Sequence, residues 1–203
     1  MARKREAIAI IGEGITEKYF ILSLRDILTR KPNPVKPKKS NLDELELAIK
    51  DCLKKGYTLI YCLIDKDNKL HDGNHDHRRN AEKYANLKKK YHNKRHRCPD
   101  GSKADVFMIE SFPATEIFFL YYFGFTQAHY TNQQLKELLH QKFGYATEEK
   151  YLIKNSLHDT LIKAGGSIQT AIEASGRSMQ LRNPEDIHCP YTEIGKMLSE
   201  LME

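Results

Sequence analysis

The sequence predicts an α/β fold: a small parallel sheet flanked by helices, with a C-terminal helical extension. Three observations point there. Apolar, β-branched runs stand at residues 7–12, 57–65 and 104–110. Segments of helical periodicity separate them, and from Asn132 onward only helical patterns remain. Strands alternating with helices imply a parallel sheet, and a run of helices afterwards implies a further layer. The expected division is an α/β core over residues 1–125 and a helical extension over 126–203 packed on it.

The first strand is expected at residues 7–12, "AIAIIG". A helix should follow over 16–29, with Tyr19, Phe20, Leu22, Leu24, Ile27 and Leu28 on its buried side. "RKPNPVKPKKS" is too rich in Pro for helix and reads as a loop with a short edge strand near Val35. "NLDELELAIKDCLKKG" repeats Leu42, Leu45, Ala48, Ile49, Cys52 and Leu53 at helical spacing and stops at Gly56. "YTLIYCLID" is the strongest strand, and its near-continuous apolar run suits a central parallel strand covered on both faces. A polar loop, "KDNKLHDGNHDH", leads to a basic helix over 78–96. "ADVFMIE" is the third strand, and "ATEIFFLYYFGF" a buried helix after the strand-breaking "SFP".

Bulk properties exclude several classes. With 40% apolar and 30% charged residues the chain has a globular composition. The 33 Lys and Arg against 27 Asp and Glu leave a formal +6, a surplus whose placement matters more than its size. Cys52, Cys62, Cys98 and Cys189 form no C-x-x-C pair, and Cys62 lies inside an apolar strand. They are expected to be reduced thiols of a cytosolic protein. The N-terminal "MARKREAIAIIGEG" is basic then apolar, but its apolar run is too short for a signal peptide and Glu13 interrupts it. "EIFFLYYFGF" has about half the ~20 residues a membrane helix needs. Dinucleotide and Walker phosphate loops are absent.

Two acidic motifs carry the chemistry. Glu13 lies between Gly12 and Gly14 where the first strand ends, and Glu17 follows one turn into the helix. Glu17 can simply complement the helix dipole, with Thr16 as the cap; Glu13, ahead of the helix, is less easily explained that way. Asp65 ends the central strand and Asp67 follows in "LIDKDN", a spacing that points both carboxylates the same way in extended chain. Alone, each motif is an ordinary turn. Together they sit at carboxyl ends of strands, where ligand sites of open α/β sheets form. Carboxylates converging there would repel one another unless a cation joined them. Oxygen-only donors suit Mg²⁺ or Mn²⁺, and a pair of such ions can drive phosphodiester cleavage.

"HRRNAEKYANLKKKYHNKRHRC" holds Arg78, Arg79, Lys83, Lys88, Lys89, Lys90, Lys94, Arg95 and Arg97 against the single acid Glu82. A solvated helix face is the usual explanation of such a run. One sign with tyrosines interleaved favours phosphate contact here, with Lys103 as a further electrophilic helper. His92 and His96 at i and i+4 could share a metal on a helix, but the cluster with Cys98 matches no standard zinc spacing.

"IGEGITEKYF" followed by "LIDKDN" resembles the Toprim catalytic core, and its E-G-x-T-E form is similar to the overcoming-lysogenization-defect nucleases. "IESFPATEIFFLYYF" resembles the S-x-P-x-F-E-x-W-x-L-L-H-F signature of the RloB family, and "RNPEDIHCPYTEIGKMLSEL" resembles that family's closing segment. Thr115, Phe118 and Tyr122 stand where the signature has Phe, Trp and His. The resemblance implies a metal-dependent, Toprim-type nuclease of prokaryotic antiviral defence or abortive infection. It implies Glu13, Asp65 and Asp67 as metal ligands, Glu13, Glu17 and Glu116 as catalytic positions, and DNA or RNA as substrate. It also leaves open a non-catalytic, nucleic-acid-binding or sensor subunit working with an ATPase encoded nearby.

Overall fold

The computed structural model describes residues 6–66, 75–183, 186 and 188–203. Six strands form one sheet: β1 (Ile8–Ile11), β2 (Asn33–Val35), β3 (Leu59–Asp65), β4 (Lys94–Arg97), β5 (Lys103–Phe112) and β6 (Tyr191–Thr192). Their order is β2-β1-β3-β5-β4, with β6 also on β5. The β2–β1, β1–β3 and β3–β5 pairs are parallel. β4 and β6 run antiparallel to β5, so the sheet is mostly rather than wholly parallel.

Among the described residues the helices are α1 (Ile15–Ser23), α2 (Leu42–Lys54), α3 (His75–Tyr91), α4 (Glu116–Tyr121), α5 (Asn132–Phe143), α6 (Glu149–Lys154), α7 (Leu157–Lys163), α8 (Ile168–Gln180) and α9 (Ile194–Met202). Among the described residues none is long and apolar enough to cross a membrane. Because side chains alternate along a strand, the sheet divides its apolar residues between two cores. Ile8, Ile10, Tyr61, Leu63 and Ile109 face α1, α4, α5 and the helices from α7 to α9. Ala9, Ile11, Ile60, Cys62, Ile64, Val106 and Met108 face α2 and α3. Burial on both sides explains why β3 reads as an unbroken apolar run. The C-terminal helices place Leu135, Leu139, Leu161, Leu198 and Leu201 in the same core as β1 and β3. All four cysteines are buried and unbridged.

Three elements depart from the sequence expectation. The helix expected over 16–29 closes at Ser23, whose hydroxyl donates to the Phe20 carbonyl at 2.6 Å and accepts from the His158 N–H at 3.1 Å. Such local bonds compete with helix continuation. The basic helix ends at Tyr91 rather than at 96, because Asn93 turns into the left-handed region (φ 53°). The chain then forms β4 on β5. β6 lies within the stretch expected to be purely helical; at two residues it is too short to show a period.

Candidate active site

The strand order 2-1-3 reverses direction between β1 and β3, and the crevice beyond the carboxyl ends of two such strands is the usual ligand position of an open α/β sheet. β1 and β3 pair directly, with Ile11 opposite Cys62. Glu13 therefore leaves β1 beside the strand that ends in Asp65. Asp65 in turn is in register with Ser111 of β5, and Glu116 begins α4 just beyond. Three adjacent strand ends thus deliver Glu13, Glu17, Asp65 and Glu116 to one region.

Each carboxylate is held differently. Glu13 is half-buried, and its backbone carbonyl accepts from Ser40 Oγ at 2.7 Å. Glu17 is buried, and its Oε2 accepts from the Gly14 N–H at 2.9 Å. Gly14, not Thr16, is the cap of α1, and Glu17 closes that first turn from within. A Cβ on Gly12 would meet the Glu17 Cβ at 2.5 Å, so glycine there is what lets Glu17 lie across the turn. Asp65 Oδ1 accepts from both the Thr115 N–H and Oγ1, at 2.8 and 2.9 Å. Glu116 Oε1 accepts from Tyr145 Oη at 2.9 Å, with Lys136 Nζ at 4.0 Å, and the Tyr145 and Thr16 hydroxyls lie 3.4 Å apart.

The electrostatics register this crowding. Burial first, then the charges of Glu116 and Glu13, push Glu17 up to about 7 against the opposing backbone hydrogen bonds. Burial, then Glu17, Glu116 and Glu13, hold Asp65 well above the usual carboxylate range, although its hydrogen bonds from Thr115 oppose this. Glu116 and Glu13 thus act on both Glu17 and Asp65, and Glu17 acts on Asp65 as well.

The donor set is oxygen only, buried or half-buried, and mutually repelling, which is the chemistry a hard divalent cation fits. Among the described residues no three His, Cys, Asp or Glu side chains stand close enough to ligate one ion as they are. Asp67, the remaining expected ligand, lies outside the described residues.

The expected cationic positions separate. Arg78 and Arg79 lie exposed near the start of α3. Lys83 pairs with Asp43, Lys90 with Glu46, and Arg95 with Asp105. Lys94 Nζ donates to the Lys89 carbonyl. Lys89 is exposed. Lys103 opens β5, eight residues from Ser111, so it stands about 26 Å from the carboxylate end at ~3.3 Å per residue. Lys88 turns inward to a residue the sequence did not single out, Glu110, at 2.6 Å. The proposed helical pairing of His92 and His96 does not form: His96 is on β4, and His92 Nδ1 accepts from the Met108 N–H at 3.0 Å.

Thr115, Tyr145 and Glu110 are the polar residues that sequence reasoning passed over. Only Glu110 left a signal, a lone charge inside the apolar run "VFMIESF". Tyr122, at the His position of the resembled signature, is core: its hydroxyl meets His158 Nδ1 at 3.0 Å, and α4 is buried throughout.

A family model described as RloB-like protein matches residues 8–201. The chain belongs to the RloB-like family. The match runs from the first residue of β1 into α9, so it takes in every strand and every carboxylate named above. No curated protein and no solved structure matched.

Proposed function

We propose that this RloB-like chain is a Toprim-type, Mg²⁺- or Mn²⁺-dependent nuclease that hydrolyses phosphodiester bonds of DNA or RNA. One observation carries the proposal: three adjacent strand ends bring four carboxylates together at a sheet switch point, where burial first and then neighbouring carboxylate charges raise the pKa values of Glu17 and Asp65. Burial of like charges is unfavourable, and a bound divalent cation removes the conflict.

Glu13, Asp65 and Asp67 would hold the metal, which when bound supplies a Lewis acid for the phosphoryl oxygens and a more acidic water. Thr115 fixes the orientation of Asp65 through two hydrogen bonds, and Tyr145 does the same for Glu116 through one. Glu17 stays tied to the Gly14 N–H, where it can accept a proton or orient water at the rim of the site. The defence setting and an ATPase partner rest on the family resemblance.

Cleavage of DNA and RNA in Mn²⁺, compared among wild type, Asp65→Asn and Asp67→Asn, tests the proposal. Loss of cleavage in both variants with the fold retained is expected. Wild-type rates in both would remove the site.

A further inference from the structure

On the opposite face of the same sheet end lies a site of the reverse sign. Glu110, 1% exposed, stands in register with Ile64, one step before the Asp65–Ser111 pair. Its Oε1 accepts from Tyr84 Oη and Lys88 Nζ, both at 2.6 Å, with Lys66 Nζ at 3.7 Å. Its Oε2 accepts from Tyr191 Oη at 3.2 Å and has Arg182 Nη2 at 3.7 Å. Glu193 Oε2 accepts from the Glu110 N–H at 2.8 Å. Three cations thus face two carboxylates, and only one of the two lies at their centre.

A structural ion pair needs one cation, and Lys88 with the two tyrosines already serves Glu110. Arg182 is too far for a hydrogen bond to it. Its guanidinium instead lies 3.9 Å from the Tyr191 ring centroid, and among the described residues it donates no hydrogen bond. A planar fork stacked on an aromatic ring, with its donors unspent and a third of the side chain exposed, is a geometry suited to bidentate phosphate binding. Lys88 is comparably exposed, so both cations reach from solvent to the buried carboxylate.

We propose that Arg182 and Lys88 form a phosphate-binding ring around Glu110, which takes a backbone phosphate of the substrate next to the one engaged at the carboxylates. This rests on the nuclease reading above and narrows it: the substrate is a polynucleotide spanning the end of the sheet, rather than a small isolated phosphodiester. Asp65 and Lys66 are consecutive, as are Glu110 and Ser111, so the two sites meet at one end of the sheet.

The test is binding of fluorescein-labelled single-stranded DNA and RNA oligonucleotides in EDTA, by anisotropy over a range of salt. The chains are wild type, Arg182→Gln, Arg182→Lys, and Lys163→Gln as a charge-matched control at an exposed position of α7. Arg182→Gln is expected to weaken binding several-fold and to lower the slope of log K against log salt by about one; Lys163→Gln leaves both unchanged, and Arg182→Lys restores the slope. In wild type, inorganic pyrophosphate should displace the oligonucleotide and shift the Tyr191 and Tyr84 ring resonances. Intact binding with an unchanged slope in Arg182→Gln, or no resonance shift with pyrophosphate, overturns the ring and leaves the carboxylate site standing. No binding by wild type overturns both.

Discussion

Glu17 and Glu110 are the same residue type, both almost fully buried, near the same end of one sheet, yet their surroundings drive them apart. Glu17 shares its face with Asp65, Glu116 and Glu13; burial first, then the charges of Glu116 and Glu13, push it up to about 7. Glu110 faces Lys88, Lys66 and Arg182; although burial alone would raise it, bonds from Lys88 and Tyr84 and the charge of Lys66 hold it down at about 2. Burial thus does not decide whether a carboxylate supports the fold. A charge that meets cations stabilises the native state, and a charge that meets its own kind burdens it.

The largest effect should come from breaking the satisfied side. Glu110→Gln leaves its cations without a buried counter-charge and is expected to destabilise by about 3 kcal/mol at neutral pH. The sign has a pH signature. Because Glu110 titrates lower folded than unfolded, its contribution is present above about pH 4.5 and is lost as pH falls towards 2. Chemical denaturation should show that acid limb in wild type and a flatter one in the variant.

The opposing face should respond in the opposite sense. Glu17→Gln keeps an acceptor for the Gly14 N–H and removes a charge, so at pH 8 without metal it is expected to stabilise by about 2 kcal/mol. Glu17 titrates higher folded than unfolded, so its share of stability is full below about pH 4.5 and is lost as pH rises through 7. Saturating Mn²⁺ should erase the advantage of the variant. A Glu17→Gln chain no more stable than wild type at pH 8 would contradict the account of this face. The smallest effect belongs to Arg95→Gln: the Arg95–Asp105 pair is exposed, and its loss should leave Tm unchanged.

The same contrast explains what could be read in advance. The strands were legible because β1, β3 and the second half of β5 are buried on both faces and so carry apolar runs. β6 was not, because two residues carry no period. Glu13, Glu17 and Asp65 stood out because each interrupts a pattern at a strand end. Glu110 was visible as a charge in a strand, but its partners Lys66, Tyr84, Arg182 and Tyr191 come from four separate segments. Nothing local in the sequence joins them. The setting of the basic run was hidden for a related reason: local composition shows a surplus, whereas the fold brings Asp43, Glu46, Asp105 and Glu110 to it. Thr115 and Tyr145 act through single hydrogen bonds or pairs of them, which leave no trace in composition.

The central claim is that the crowded face is a cation site. A crystal soaked in Mn²⁺ and measured at the manganese edge tests it most directly. The account predicts anomalous density among Glu13, Glu17, Asp65 and Glu116, absent from Asp65→Asn crystals treated alike. Ordered manganese elsewhere with none between these carboxylates would contradict it.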